Sequence, residues 1–216
     1  MRKFTLAAAA LSLGSPIAAN AATFVVNYTG TTIISAVAPD RNDFTGNLNA
    51  VGLFSYSDSA FITLPSTGAV KYEYMGSESG LRDCFTSGII VNFCETNKLA
   101  WGPVSMGPTQ IFAAGALAAK FFISGGIDRL PGSPQFGVFL PGKRATTGAG
   151  VYTSNVLYFG FNDLEGGSDD NHDDFIVRAT ISAVPEPGTW AMLISGFALV
   201  GSLLRRRQRN GISVLA

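Results

Sequence analysis

LYFGFNDLEGGSDDNHDDFIVRATI, residues 157–181, is the stretch whose reading decides the fold. In its second half Phe175, Val177, Ala179 and Ile181 alternate with Ile176, Arg178 and Thr180. An alternation of period two places the first set on one face of a β-strand and the second set on the other. The stretch opens on a second strand-like run, Val156–Phe161, rich in β-branched and aromatic side chains. Between the two runs lies a polar loop of Asp, Gly and Asn. Strand, polar loop and strand predict antiparallel pairing.

The same texture extends along the chain. Thr23–Tyr28, Thr31–Val37, Gly52–Tyr56, Ala60–Leu64, Val70–Tyr74, Gly88–Phe93 and Phe136–Leu140 are strand-like runs between Gly, Pro, Asn and Asp. With Val156–Phe161 and Asp174–Ser182 they predict an all-β fold, an antiparallel β-sandwich or jelly roll. Ile111–Ile123 (IFAAGALAAKFFI) stays open, because its alanines favour helix while Gly115 and the Phe pair favour a strand. No 20–50-residue repeat and no long linker divides residues 22–184, so they read as one exported domain.

The chain has 216 residues, fifteen basic and fifteen acidic, and is 47% hydrophobic but only 14% charged. Soluble domains are about 25% charged. No basic excess supports nucleic-acid binding. The neutrality is local accounting, however. Arg2, Lys3, Arg205, Arg206, Arg207 and Arg209 lie in the terminal segments, leaving residues 22–187 with nine basic and all fifteen acidic residues. That interior segment carries a net charge of minus six.

Both ends read as targeting segments. Arg2 and Lys3 precede the apolar Phe4–Leu13, Gly14 to Pro16 break helix, and Ala19-Asn20-Ala21 offers the small-x-small pattern. This order predicts a signal peptide over 1–21, cleaved by signal peptidase after Ala21, and export across the inner membrane. At the other end Trp190–Leu204 is an uncharged run of 15 residues, about 22 Å as a helix. Bounded by Trp190 and the arginines, it reads as a transmembrane helix over 190–204 with its arginines inside. Two prolines, Pro185 and Pro187, predict an extended, accessible tether over Val184–Gly188.

Pro185-Glu186-Pro187, Trp190-Ala191, the apolar run and the Arg205, Arg206, Arg207 cluster together resemble the PEP-CTERM sorting signal, placed here over 185–209 with a tail at 210–216. The tail GISVLA departs from the usual near-terminal arginines. The resemblance implies a bacterial substrate of exosortase, held transiently at the membrane and then delivered to the cell surface or secreted, in an organism that makes exopolysaccharide. Glu186 is then the recognised charge. Residues 157–181 also resemble the strand, acidic loop and strand that close exported calcium-linked bacterial β domains. Asn162 stands where Glu is usual and Asp173 where Asn is usual, and both retain an oxygen ligand.

Asp163, Glu165, Asp169, Asp170, Asp173 and Asp174 crowd into twelve residues. Each close pair repels by about 1 kcal/mol at 4 Å even in water. Ca²⁺ removes that repulsion by accepting six to eight oxygens from a flexible loop. The competing reading is a solvated hairpin loop whose acids keep an edge soluble. In an oxidising compartment Cys84 and Cys94 read as a disulfide closing a short loop. Zinc would need more ligands than one His and two Cys supply.

Catalysis has few candidates. His172, the sole imidazole, lies among acids that favour its cationic form. No Gly-x-Ser-x-Gly, His-Glu-x-x-His or P-loop occurs. The chain therefore reads as a non-enzyme with a structural or adhesive role in the exopolysaccharide matrix. The alternatives are a calcium-dependent carbohydrate-binding module, with Tyr72, Tyr74, Trp101 or Tyr152 as stacking platforms, and a secreted hydrolase using paired carboxylates.

Overall fold

The computed structural model describes residues 21–37, 41–89, 91–96, 100–163, 171–184 and 187–212. The elements, in order, are β1 (Phe24–Ile33), α1 (Thr45–Ala50), β2 (Ser55–Ser57), β3 (Ala60–Leu64), β4 (Gly68–Gly76), β5 (Asp83–Ser87), β6 (Val91–Cys94) and β7 (Val104–Ser105). Then follow β8 (Gln110–Phe112), β9 (Gly115–Ala116), β10 (Ala119–Ile123), β11 (Phe136–Leu140), β12 (Thr146–Ser154), β13 (Val156–Phe161), β14 (Phe175–Ala183) and α2 (Pro187–Ile212).

All pairings are antiparallel, as the alternating runs predict, and the strands form a sandwich-like arrangement. The first part of β1 pairs with β12 on one side and with β3 on the other, and β3 continues to β9. Its last residues, Thr32 and Ile33, pair instead with β2, which opens a larger sheet ordered β2–β11–β13–β14–β4. Both β7 and β8 pair with the outer edge of β4. A bulge lets β1 serve two sheets: the register with β12 shifts between Thr29 and Thr31, around Gly30 at φ +78°. The third sheet is β10–β5–β6, and the disulfide Cys84–Cys94 closes its hairpin on directly paired residues.

The larger sheet is apolar on both faces, which is why β11 is buried at every position. One face sends Tyr72, Tyr74, Val138, Phe159, Phe175 and Val177 into a core with Phe24 and Ile62, and with Phe85 and Phe121 of the third sheet. The other face carries Tyr56, Met75, Phe139, Tyr158 and Ile176, covered by Ile34, Phe44, Leu48 and Leu53, with Trp101 against them. The expected alternation in β14 holds, but Ile176 does not meet water, because the segment around α1 lies over it.

Several elements differ from expectation. Thr23–Tyr28 and the first residues of Thr31–Val37 join in a single strand, β1, which ends at Ile33. Ile111–Ile123 is no helix: it divides among β8, β9 and β10, with Gly115, the first residue of β9, at φ +134°. Of Gly88–Phe93, Gly88 and Ile89 lie in a turn and Val91–Phe93 in β6, while α1, β5 and β12 are absent from the pattern. Residues 1–20 are outside the described residues, and the signal-peptide reading with Ala19 falls there; Ala21 and buried Ala22 lead into β1.

At the C-terminus α2 extends past both ends of the expected helix. It begins at Pro187, whose fixed φ and missing N–H suit a first helical turn. The extended tether therefore does not reach Gly188; Pro185 and Glu186 lie outside the described residues. Arg205, Arg206 and Arg207 are within α2. Among the described residues no helix is long and apolar enough to cross a membrane, which corrects the transmembrane reading of 190–204. The uncharged run rises about 22 Å, against a hydrocarbon core of about 30 Å.

Phe121 is central to the main core, with ring centroids of Phe136, Phe85, Phe161 and Phe175 at 5.0, 5.1, 5.2 and 5.8 Å. Phe121→Ala removes that centre and leaves a cavity. Denaturant titration is expected to show a loss of about 3–5 kcal/mol; a loss under 1 kcal/mol would contradict this packing.

Candidate functional site

Three connections meet at one end of the larger sheet: residues 41–44 before α1, residues 77–83 between β4 and β5, and the facing ends of β13 and β14. Two paired glycines shape the meeting point. Gly137 of β11 and Gly160 of β13 are register partners. A Cβ on Gly160 would lie 2.0 Å from the His172 carbonyl oxygen, and one on Gly137 would lie 2.6 Å from the His172 ring. His172 occupies the notch they leave, at φ +59°, its Nε2 2.8 Å from the Pro134 carbonyl and its ring 4.5 Å from that of Tyr56. The sole histidine is thus a wedge that sets the direction of the chain entering β14.

Just past that wedge the carboxylates gather. Asp173 and Asp174 are buried, and their oxygens and one of half-buried Glu78 all lie within 4.8 Å of one another. Two oxygens on a single Ca²⁺ are at most about 5 Å apart, twice the Ca–O distance. Neighbouring groups fix the cluster. The Asp43 N–H donates to Asp173 Oδ2 at 2.6 Å, and the Asp163 N–H to Asp174 Oδ2 at 2.8 Å. Asn171 Nδ2 donates to Glu78 Oε1 at 3.2 Å, and buried Asn42 donates to the Asn171 carbonyl at 3.1 Å. Ser79 Oγ donates to Asp163 Oδ2 at 2.6 Å.

Of the six loop acids singled out above, Asp163, Asp173 and Asp174 are brought together here. Glu165, Asp169 and Asp170 fall outside the described residues. Glu78 was missed, being an isolated acid 85 residues or more upstream of its partners in the loop. The one local signal was its setting, Gly76-Ser77-Glu78-Ser79-Gly80, a small polar run closing a long strand.

The electrostatics are those of crowded, desolvated carboxylates. Desolvation pushes Asp173 and Asp174 well above the ordinary carboxylate range; the Glu78 charge adds to the shift of Asp173, and the Asp163 and Asp83 charges to that of Asp174. Asp83, fully buried, is raised to about 7 by desolvation and then by the charge of Asp163. Oxygen ligands, negative charge and burial are features that a hard divalent cation accepts.

Two of the four aromatic platforms considered for sugar stacking are overturned. Tyr72 and Tyr74 are 1% and 2% exposed and belong to the core. Trp101 stacks on Tyr158 at 6.2 Å and 9°, and half-buried Tyr152 packs against the main core.

The chain is therefore an antiparallel β protein with a buried acidic end and a C-terminal helix that begins at the last proline of Pro185-Glu186-Pro187. A family model for the PEP-CTERM protein-sorting motif matches residues 183–208. The chain carries that sorting motif, which implies export, exosortase as processing partner and transient membrane anchoring. No curated protein and no solved structure matches it.

Raised carboxyl pKa values mean that, without metal, the folded state binds more protons than the unfolded state above about pH 4. Stability then falls as pH rises. In EDTA the melting midpoint is expected to drop steadily between pH 5 and pH 8, through the Asp83 value near 7, and Asp173→Asn/Asp174→Asn is expected to flatten the slope. Gly160→Ala, which forces His172 from its notch, is expected to cost about 1–3 kcal/mol. Gly46→Ala in α1, where a Cβ meets nothing within 4 Å, serves as the neutral comparison.

Proposed function

We propose that the β domain is a non-catalytic, structural or adhesive component of the cell surface or exopolysaccharide matrix, and that Ca²⁺ at Glu78, Asp173 and Asp174 locks its acidic end. The observation that carries this reading is the convergence of three carboxylates within 4.8 Å, two of them buried. A buried cluster of like charge is costly unless a cation compensates it. Asp163, whose N–H is bound to Asp174 Oδ2, brings a further carboxylate of the kind Ca²⁺ accepts. Calcium bound there ties three separate connections together and stiffens the domain, as a matrix component needs. The sorting motif delivers the protein, and the domain serves where it arrives.

A thermal melt of the full chain tests the calcium step. At free calcium about a hundredfold above its Kd, binding contributes about 2.7 kcal/mol, a rise of about 5–10 °C for a domain of this size. Asp173→Asn/Asp174→Asn should abolish most of that rise. An identical midpoint in EDTA and in millimolar calcium sinks the reading. Delivery has its own test: replacing Pro185-Glu186-Pro187 by alanines is expected to leave the unprocessed form in the membrane fraction. Equal processing of variant and wild type would refute it.

A further inference from the structure

The end of β11 opposite the acidic site has a different chemistry. Leu140, its last residue, pairs with Ser55 of β2, and the loop Pro141-Gly142-Lys143-Arg144 leads from it toward β12. This loop and the adjoining parts of β1 and β12 border a cleft of about 380 Å³, whose lining includes Tyr28, Thr31, Arg144, Thr146 and Tyr152. A second cleft of about 300 Å³ shares Tyr28 and Val151 with the first and continues over Asn27, Ser59 and Phe61. Small-ligand sites measure about 300–1,000 Å³. Two adjoining clefts make a trough over the paired strands β12, β1 and β3. Such a shape suits successive units of a chain.

The lining combines three kinds of group. The first is aromatic rings laid against glycines. A Cβ on Gly150, the register partner of Tyr28, would meet the Tyr28 ring, and one on Gly132 would lie 2.8 Å from the ring of Phe61. Phe61 rests on Gly132 yet is 61% exposed. The second is hydroxyls. Thr31 and Ser59 donate theirs to the carbonyls of Arg144 and Thr29, whereas Ser55 Oγ, buried beneath the first cleft, has no hydrogen-bond partner. The third is positive charge. Lys143 and Arg144 are the one adjacent pair of basic residues in 22–187. Lys143 Nζ stands 4.5 Å from the centre of the Phe54 ring, and neither cation is in an ion pair among the described residues. Among the described residues no acid lines either cleft.

We propose that this trough binds a carboxylate-bearing polysaccharide, a uronic-acid polymer, with Arg144 on a carboxylate and the Phe61 and Tyr28 rings against sugar rings. The planar guanidinium fork matches a carboxylate through two parallel hydrogen bonds. A sugar ring has an apolar C–H face and a hydroxyl edge. The exposed aromatic ring covers the face, and the orphan Ser55 hydroxyl is a partner for the edge. An acidic peptide would answer the charge but leave the ring faces unused. The acidic end does not repel such a chain strongly. Gly137, where His172 is seated, is three residues from Leu140, about 10 Å along the strand. Exposed charges that far apart are largely screened at physiological salt. The inference rests on the matrix role proposed above, names what the domain holds there, and uses none of the calcium ligands.

Isothermal titration calorimetry of the full chain in EDTA tests it. The probes are hexamers of galacturonate and of mannuronate, with maltohexaose as the neutral sugar and hexaglutamate as the acidic non-sugar. At least one uronate hexamer is expected to bind, and both comparison probes at least tenfold more weakly. Arg144→Ala is expected to weaken uronate binding about tenfold, and Phe61→Ala about threefold. Arg82→Ala, which removes an exposed cation preceding β5, is expected to change it little. No binding of either uronate, equal binding of maltohexaose or hexaglutamate, or equal losses in Arg82→Ala and Arg144→Ala would each overturn the inference. Arg144 and Phe61 are exposed, so their variants are expected to melt as wild type does. Should Phe61→Ala melt lower, Phe61→Tyr, which keeps the ring, must retain the affinity. Loss of glycan binding beside a calcium-dependent melt overturns the ligand and leaves the calcium lock; glycan binding beside an indifferent melt does the reverse.

Discussion

Carboxylates crowded together and removed from water are the constraint on which this fold turns. Asp173, Asp174 and Glu78 lie within 4.8 Å of one another, and Asp83 and Glu95 face each other across a buried rung. At an effective dielectric of 20, two unit charges 4 Å apart repel by about 4 kcal/mol. A domain stable by about 5–15 kcal/mol cannot carry several such pairs unprotonated and uncompensated. Everything local is arranged to hold them regardless. Backbone N–H groups of Asp43 and Asp163 bind one oxygen each of Asp173 and Asp174, and the Asn42–Asn171 contact ties the first connection to the last. Arg41 and His172 accept positive φ, a conformation L side chains avoid, to bring the chain into position.

The resistance to that repulsion comes from the aromatic core. Phe121 touches rings from four other strands, and Tyr74 lies 4.7 Å from Phe175 and 5.4 Å from Phe93. Tyr74 belongs to both systems, its ring in the core and its hydroxyl on Glu95. Tyr72 does the same on a neutral partner, meeting Ser87 at 2.8 Å. Burial raises the pKa of both phenols, so each remains a hydrogen-bond donor. Core and acidic end are thus joined through side chains with an apolar body and a polar tip, and a change in one is felt in the other.

The strands that were legible are those with apolar periodicity. Ala60–Leu64, Phe136–Leu140 and Val156–Phe161 have the bounds the sequence predicts, because β-branched and aromatic side chains there face a core. Thr146–Ser154 was invisible because its TTGAGVYTS is mostly exposed and carries little apolar signal. β5 escaped for the opposite reason, since its DCFTS mixes a buried acid and a disulfide cysteine into a strand whose burial is nearly complete. Half of the acidic site was legible for the same local reason that Asp173 and Asp174 adjoin an alternating strand. Glu78, Asp83 and Glu95 were not, because nothing local marks an acid that becomes a partner only when distant strands pair. The Gly137–Gly160 notch was likewise hidden: each glycine reads as a weak strand residue until pairing puts them side by side.

The chain's formal neutrality has a structural meaning that its total conceals. Six basic residues belong to the two terminal segments, and residues 22–187 hold every acid. Glu78, Asp83, Glu95, Asp163, Asp173 and Asp174 account for a charge of minus six, equal in size to the net deficit of that interior segment. The other acids there are matched in number by its nine basic residues. Among the described residues Asp83, Glu95, Asp173 and Asp174 are buried rather than displayed on the surface, where charge would serve solubility. A charge imbalance placed where it destabilises the folded state has a physical rationale only if something that arrives later offsets it. For a protein whose sorting motif directs it out of the cell, a divalent cation of the medium is the simplest agent that fits oxygen-only ligands.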